Sequence, residues 1–217
     1  MKILLIGATG MVGSRIAAEA LTRGHEVTAA TRSGRSGDLP ENPALTTATL
    51  DASDPAQVAK GAAGHDAVVS AISPARDGSV DPAVSLLATY RSLIEGLRTA
   101  DVRRFLVVGG AGSLQTPSGV DRVDTPDFLD IYKPESRALR EVLRLFRGEV
   151  TDLDWTYLSP ADEIGPGERK GVFRLGGDQM LYAPDGSSTI SAEDFAVALV
   201  DELEKGDAIR RRITVAY

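Results

Sequence analysis

The sequence predicts an α/β fold, a doubly wound parallel sheet covered by helices on both faces, with a small C-terminal lobe. Three observations predict it. Short apolar runs alternate with amphipathic helical stretches along most of the chain, and parallel strands need such crossover helices. A glycine-rich turn, Gly7-Ala8-Thr9-Gly10-Met11-Val12-Gly13, joins the first apolar run to the first helical stretch. From about 159 to 190 the alternation stops and Gly165, Pro166, Gly167, Gly171, Gly176, Gly177, Pro184 and Gly186 crowd together, which marks the lobe.

Each element has its own signal. Lys2 to Ile6 reads as a buried strand, Met11 to Arg23 as a helix with Val12, Ile16, Ala17, Ala20 and Leu21 on one face, and Glu26 to Thr31 as the second strand. Leu45 to Leu50 forms a third strand, Asp54 to Lys60 a helix opened by Ser53, Asp54 and Pro55, and Ala67 to Ser70 a fourth strand. From Asp81 to Ala100, Val84, Leu87, Tyr90, Leu93, Ile94 and Leu97 keep helical spacing while Arg91, Glu95 and Arg98 turn outward. Arg104 to Val108 is the next strand. The stretch from Gly109 to Asp130 is rich in Gly, Ser, Pro and Asp and lacks periodicity, the pattern of a long loop beside a functional site. A helix from Pro134 to Arg147 turns Leu139, Val142, Leu143 and Phe146 inward, and the strand Asp154 to Leu158 follows. Ser191 caps a last helix carrying Phe195, Ala198, Leu199 and Leu203, and Arg212 to Val215 closes the sheet.

With 217 residues, 42% of them hydrophobic and 25% charged, the chain is read as one domain, 1–217, with a sizeable core. A net charge of −7 argues against nucleic acid and anionic membranes as partners. The absence of cysteine excludes disulfides, thiolate catalysis and cysteine-ligated metal. His25 and His65 each stand between a helix end and the next strand and read as exposed turn residues, so no metal site is expected. The run Ile3 to Ile6 is cut by Gly7, well short of the roughly 20 apolar residues of a membrane helix, and a cytoplasmic location is expected.

The glycine turn carries the chemistry. In its Gly-x-x-Gly-x-x-Gly spacing, the first glycine permits a tight turn, the second lets backbone approach a pyrophosphate, and the third allows close helix–strand packing. The helix start adds free N–H donors and a positive dipole end. A dinucleotide fits this arrangement; a Walker motif does not, because no lysine follows Gly13. At the end of the second strand, where a carboxylate would accept from a ribose 2′-hydroxyl, stand Thr31-Arg32-Ser33. A guanidinium there pairs with a 2′-phosphate, favouring NADP(H) over NAD(H); the plain alternative is a solvated loop charge. Arg35 could join the same pocket, and no carboxylate is expected close by. Asp51-Ala52 after the third strand either reaches an adenine or caps the turn before Asp54. The backbone of Ser70-Ala71-Ile72 is expected to pass close to the cofactor at the carboxyl edge of the sheet. Asp124, Asp127, Asp130 and Asp162-Glu163 either line the substrate side or are solvated loop charges. No Gly-x-Ser-x-Gly elbow is present.

Taken with Val107-Val108-Gly109-Gly110-Ala111-Gly112-Ser113-Leu114, Thr156-Tyr157-Leu158-Ser159-Pro160, Pro166-Gly167-Glu168-Arg169 and Ile213-Thr214-Val215-Ala216-Tyr217, these motifs make the chain resemble the atypical short-chain dehydrogenase/reductases. More narrowly, it is similar to compact NmrA-like and flavin/biliverdin reductase-like NAD(P)H-binding proteins. The resemblance runs along nearly the whole chain and implies a Rossmann fold whose C-terminal lobe lies on the substrate side. It also implies that Ser70 to Ile72 and Gly109-Gly110 flank the ribose and nicotinamide, and that Ser159-Pro160 sits beside the nicotinamide end. Many relatives use Tyr-x-x-x-Lys, in which lysine lowers the tyrosine pKa for proton exchange with the substrate. None of the five tyrosines here has lysine four residues on. Tyr132 and Lys133 are the nearest substitutes, as proton donor and as ribose or substrate contact, against the alternative of a tyrosine and a surface lysine that merely begin a helix. Ser113 either takes the place of the family's polar residue after strand five or belongs to a shaped turn.

Two functions follow from this pattern. The first is an NADPH-dependent reductase passing a hydride to a small electron-poor acceptor such as a flavin, quinone, enone or carbonyl, which chiefly needs cofactor and acceptor aligned. The second is a non-catalytic NADP(H)-binding module that reports redox state, which missing catalytic residues favour. Nucleotide-sugar epimerisation ranks third, since it usually requires a larger substrate domain. A monomer or homodimer is expected.

Overall fold

The computed structural model describes residues 1–35, 37, 39–74 and 81–217. Seven parallel strands and one antiparallel strand form the central sheet, in the order β3-β2-β1-β4-β5-β6-β10-β8. These are β1 (Lys2–Ile6), β2 (Glu26–Thr31), β3 (Leu45–Thr49), β4 (Ala67–Ser70), β5 (Arg104–Val108), β6 (Asp154–Ser159), β8 (Arg174–Gly176) and β10 (Arg211–Ala216). The order reverses at β1 and β4, which pair from Ile3↔Ala67 to Ile6↔Ser70. That reversal sets the loops leaving β1 and β4 side by side at the carboxyl edge, the place where open α/β sheets bind ligands.

Helices α1 (Met11–Thr22) and α5 (Ala192–Lys205) cover one face, and α2 (Pro55–Ala62), α3 (Pro82–Thr99) and α4 (Lys133–Glu149) the other. The α1–α5 face buries Ile3, Leu5, Ile16, Val27, Phe195 and Leu199. The opposite face holds an aromatic stack of Tyr90, Phe105, Phe146 and Trp155 with ring centroids 5.4 to 6.4 Å apart, within the distance at which aromatic pairs attract. Proline in the first turn and an aspartate cap start α2 and α3, the Asp54 and Asp81 carboxylates each accepting two backbone N–H bonds. Ser191 caps α5 as expected, and Gly206 at φ 67° ends it.

The expected elements all form, with several corrections. Val84 is 62% exposed and Leu86 is buried in its place, because α3 turns its 86-90-93-97 stripe to the core. His25 is buried, its Nε2 2.9 Å from Glu204 of α5, so packing of α1 on α5 covers a residue that looked like a surface turn. His65 is half-buried with Nε2 2.8 Å from Thr28 Oγ1. Within residues 159–190, β8 joins the central sheet through antiparallel pairing with β10, while β7 (Glu163–Gly165) and β9 (Thr189–Ser191) pair as a small parallel sheet. The loop from Gly109 to Asp130 contains three single-turn 3-10 segments, 111–113, 122–124 and 130–132.

Candidate functional site: a dinucleotide cradle at the carboxyl edge

The glycine turn lies where β1 meets α1; Gly7 is required by conformation and contact, and Gly13 by contact. Gly7 has φ +83°, and a Cβ there would stand 2.5 Å from the carbonyl oxygen of Ala71. A Cβ on Gly13 would lie 2.1 Å from the carbonyl oxygen of Gly7. The turn closes through Gly10 N–H donating to Gly7 O at 3.2 Å, and the first helical bond is Ser14 N–H to Gly10 O at 2.9 Å. No side chain caps α1 or α4, while α2, α3 and α5 are capped. The N–H groups of Met11, Val12 and Gly13 are thus presented beside the exposed Thr9 and Gly10, free to receive an anion. Gly7 and Gly13 let the turn close tightly on Ala71 and on itself, and Gly10 adds no side chain beside the exposed N–H groups.

The remaining sequence-selected residues gather along the same edge. A Cβ on Gly37 would stand 3.3 Å from Thr9 Cγ2, so the segment after β2 reaches the turn at that point, and Arg32 at the end of β2 is exposed. Among the described residues Arg32 makes no ion pair. Asp51 does lie near it, contrary to expectation: β2 and β3 are parallel neighbours, paired through Thr31↔Thr49, so their following residues converge. The Asp51 carboxylate accepts from Ser53 Oγ at 2.7 Å and Ser53 N–H at 2.9 Å. These bonds, with a smaller contribution from Arg32, hold it below the usual carboxylate range. It shapes the 51–54 turn while remaining exposed, and Ala52 packs against the α3-side core. The Ala71-Ile72 backbone crosses over Gly7. The Ser70 hydroxyl turns inward, 3.1 Å from Tyr90 OH.

Beyond β5 the glycines serve packing. A Cβ on Gly109 would meet the Tyr157 ring at 2.0 Å, one on Gly110 the Leu139 side chain at 2.9 Å, and one on Gly112 Ser136 at 2.5 Å. They let the post-β5 loop lie flat on α4 and β6. Ser113 is buried, with its Oγ accepting from Arg212 at 3.1 Å and its carbonyl from the same guanidinium at 3.2 Å. That guanidinium is itself anchored on Asp178 at 2.6 Å, so Ser113 is engaged in tying the loop to β10. Ser159 and Pro160 end β6 fully buried, and Ser159 Oγ has no partner among the described residues.

Tyr132 and Lys133 begin α4. Tyr132 is 52% exposed, and Lys133 Nζ lies 2.6 Å from Asp130 Oδ1. Sorting the tyrosines separates them by accessibility. Tyr90 and Tyr157 are enclosed in the core, where burial pushes the first phenol up to about 12 and the second higher still. Tyr217 OH lies 2.8 Å from both Asp194 Oδ2 and Ser191 Oγ, and Tyr182 OH lies 3.2 Å from Met180 Sδ. Among the described residues, only the Tyr132 hydroxyl has no partner.

Sequence reading missed Arg122. Its Nε lies 2.9 Å from Asp162 Oδ2 and its Nη1 3.1 Å from Asp127, and its guanidinium stands 5.3 Å from the centre of the Phe128 ring. It ties the long loop to the lobe; its one sequence signal was a cation among the loop carboxylates. Asp124 pairs with Arg140 instead. Two grooves of about 630 and 700 Å³ lie elsewhere, one at the start of β10 and one at the amino ends of β1 to β3. Neither includes a residue of the glycine turn, and the turn's own donors and steric fit define the site better than concavity does. Among the described residues no cluster of three or more His, Asp or Glu could hold a metal.

The chain belongs to the NAD(P)H-binding family, whose model matches residues 7–206. Solved structures agree along the full length. A Burkholderia pseudomallei protein described as a "putative exported protein" is 45% identical with TM-score 0.88, covering 100% of both chains. A "putative epimerase" from Bacteroides thetaiotaomicron is 39% identical with TM-score 0.90, over 100% of this chain and 96% of that one. A "putative NADH-flavin reductase" from Streptococcus pneumoniae is 35% identical with TM-score 0.82, over 100% and 99%. The fold is therefore Rossmann-like, and no helix among the described residues is long and apolar enough to cross a membrane.

Proposed function

We propose that this protein is an NADPH-dependent oxidoreductase of the atypical short-chain dehydrogenase/reductase, NmrA-like kind, acting in the cytoplasm as a monomer or homodimer on a small electron-poor substrate. The observation that carries the reading is the start of α1, uncapped by any side chain and bounded by Gly7 and Gly13, neither of which has room for a Cβ. When bound, the cofactor supplies a hydride to a flavin, quinone, enone or carbonyl. The chain's own part is to bind and orient. Met11 to Gly13 N–H groups receive the pyrophosphate, Arg32 the 2′-phosphate, and Asp51 and Ala52 border the adenine. The backbone of Ser70 to Ile72, Gly109-Gly110 and Ser159-Pro160 flanks the ribose and nicotinamide. Tyr132 is the proton donor we favour, as the accessible phenol at this edge with no other described partner, with Lys133 a ribose or substrate contact beside it. Ser113 contributes through the loop it anchors.

The test is a paired titration with NADPH and NADH, followed by a screen of NADPH oxidation across flavins, quinones and enones. Binding of NADPH about tenfold tighter than NADH, roughly 1.4 kcal/mol, with oxidation above the uncatalysed rate, supports the reading. A redox-reporting, non-catalytic role is the second reading, favoured by one observation: Lys133 is held by Asp130 and Ser113 by Arg212, so neither side chain is free. Tight NADPH binding without oxidation of any acceptor selects it.

A further inference from the structure

We infer that Met11 is a peroxide-sensitive modification site through which oxidation lowers cofactor affinity; the inference rests on the placement of the cofactor on the glycine turn. With no cysteine in the chain, thioether sulfur is the sole sulfur chemistry, and it is confined to Met1, Met11 and Met180. Met180 is 6% exposed and its sulfur is in contact with Tyr182 OH, whereas Met11 is 41% exposed. Met11 is also the first residue of α1, so its side chain leaves the backbone at the rim of the uncapped N–H groups.

The chemistry is a two-electron oxygen transfer. Hydrogen peroxide gives one oxygen to the thioether sulfur, its O–O bond breaks, the sulfur becomes a sulfoxide and water leaves. The product changes the site in two ways. A flexible apolar group becomes a strong hydrogen-bond acceptor with partial negative charge on oxygen, which is repelled by a bound pyrophosphate. That same oxygen is attracted to the free N–H donors and positive dipole end of α1, where it acts as a self-supplied cap in the anion's place. Bound cofactor would in turn cover Met11 and slow its oxidation by keeping peroxide from the sulfur.

Full-length protein is treated with hydrogen peroxide with and without saturating NADP+, and the three methionines are followed by peptide mass mapping. Met1, 43% exposed and remote from the turn, and Met180 are internal controls. The expected result is oxidation of Met1 and Met11 ahead of Met180, with NADP+ slowing Met11 alone. Protein fully converted at Met11 should bind NADP+ about tenfold more weakly with an unchanged circular dichroism spectrum, and methionine sulfoxide reductase should restore it. In Met11→Leu, whatever its starting affinity, the ratio of Kd before and after peroxide should stay within about twofold, which assigns the effect to position 11. Unchanged affinity after full conversion at Met11, no slowing by NADP+, or an equal loss in Met11→Leu would overturn the inference. Failure of the untreated protein to bind NADP+ is a different outcome, which removes the cofactor placement itself and this inference with it.

Discussion

Alanine at two helical glycines should move stability in opposite directions. Gly13 in α1 and Gly148 in α4 both occupy helices, where glycine costs up to about 1 kcal/mol relative to alanine. Propensity alone therefore predicts stabilisation at both. At Gly148 nothing lies within 4 Å of the added Cβ, so Gly148→Ala should gain as much as about 1 kcal/mol. At Gly13 the Cβ would sit 2.1 Å from Gly7 O, which falls 1.3 Å short of the 3.4 Å at which ordinary contact begins, and 2.9 Å from Gly7 C. Both obstacles are backbone, so no rotamer relieves them. Overpacking of this kind costs about 1–3 kcal/mol or more, and the propensity gain offsets about 1 kcal/mol of it. Gly13→Ala should thus lose up to about 2 kcal/mol, a Tm drop of up to about 8 °C at the roughly 2–4 °C per kcal/mol of a chain this size. Thermal scans with urea midpoints measure both variants, and an NADPH titration should show weakened binding for Gly13→Ala alone. If Gly13→Ala raises Tm as Gly148→Ala does and binds NADPH normally, the turn is looser than its geometry and the packing argument for the site fails.

Other expectations are independent of that comparison. Arg32→Ser should raise the Kd for NADPH about tenfold, roughly 1.4 kcal/mol, and leave NADH within twofold; equal loss for both cofactors would remove Arg32 from the 2′-phosphate. Tyr132→Phe should leave NADPH affinity intact and cut turnover about a hundredfold, and unchanged turnover would rule out its hydroxyl as the donor. Glu19, buried on α1, is held below the usual carboxylate range first by the hydrogen bond from Arg169, with burial opposing and Arg23 assisting. Its folded pKa is thus below the unfolded value of about 4.3, so its contribution is complete above that pH and is lost as pH falls through the folded value. Glu19→Gln should therefore flatten the fall of Tm below about pH 4 and leave its slope above about pH 6 unchanged.

How legible each part was depended on the range of the signal. β1, α1 and α4 are written locally: a run of buried residues, a glycine turn and a clean 139-142-143-146 stripe. β8 was illegible because three residues, Arg174-Leu175-Gly176, carry no periodicity and acquire strand geometry only by pairing with β10. His25 was misread because the carboxylate that draws it inward, Glu204, is 179 positions away. Val84 looked interior because helical spacing admits more than one stripe, and the choice between them is made by what α3 packs on.

The site divides along the same line. A cofactor cradle of backbone donors must be encoded in consecutive residues, because the turn itself positions them; this is why Gly7, Gly10 and Gly13 could be read directly. Groups that depend on tertiary neighbours could not. For Ser113 the sequence left two roles open, and the partner it has in the fold, Arg212, lies 99 positions on. Arg122 gave no signal beyond its place among the loop carboxylates, because the carboxylate it meets, Asp162, lies 40 positions on. Arg32 combines both cases, since its place after β2 was legible while the approach of Asp51 was not. That carboxylate bears on the proposed cofactor choice: held below its usual range, it would oppose the 2′-phosphate that the proposal assigns to Arg32. The two charges nearly cancel at long range, so the proposed selectivity for NADPH would have to come from short hydrogen bonds of the guanidinium to phosphate oxygens rather than from local charge. Preference measured at low and high salt separates these. Direct bonds leave the NADPH to NADH ratio nearly constant, whereas a field effect would shrink it as screening increases.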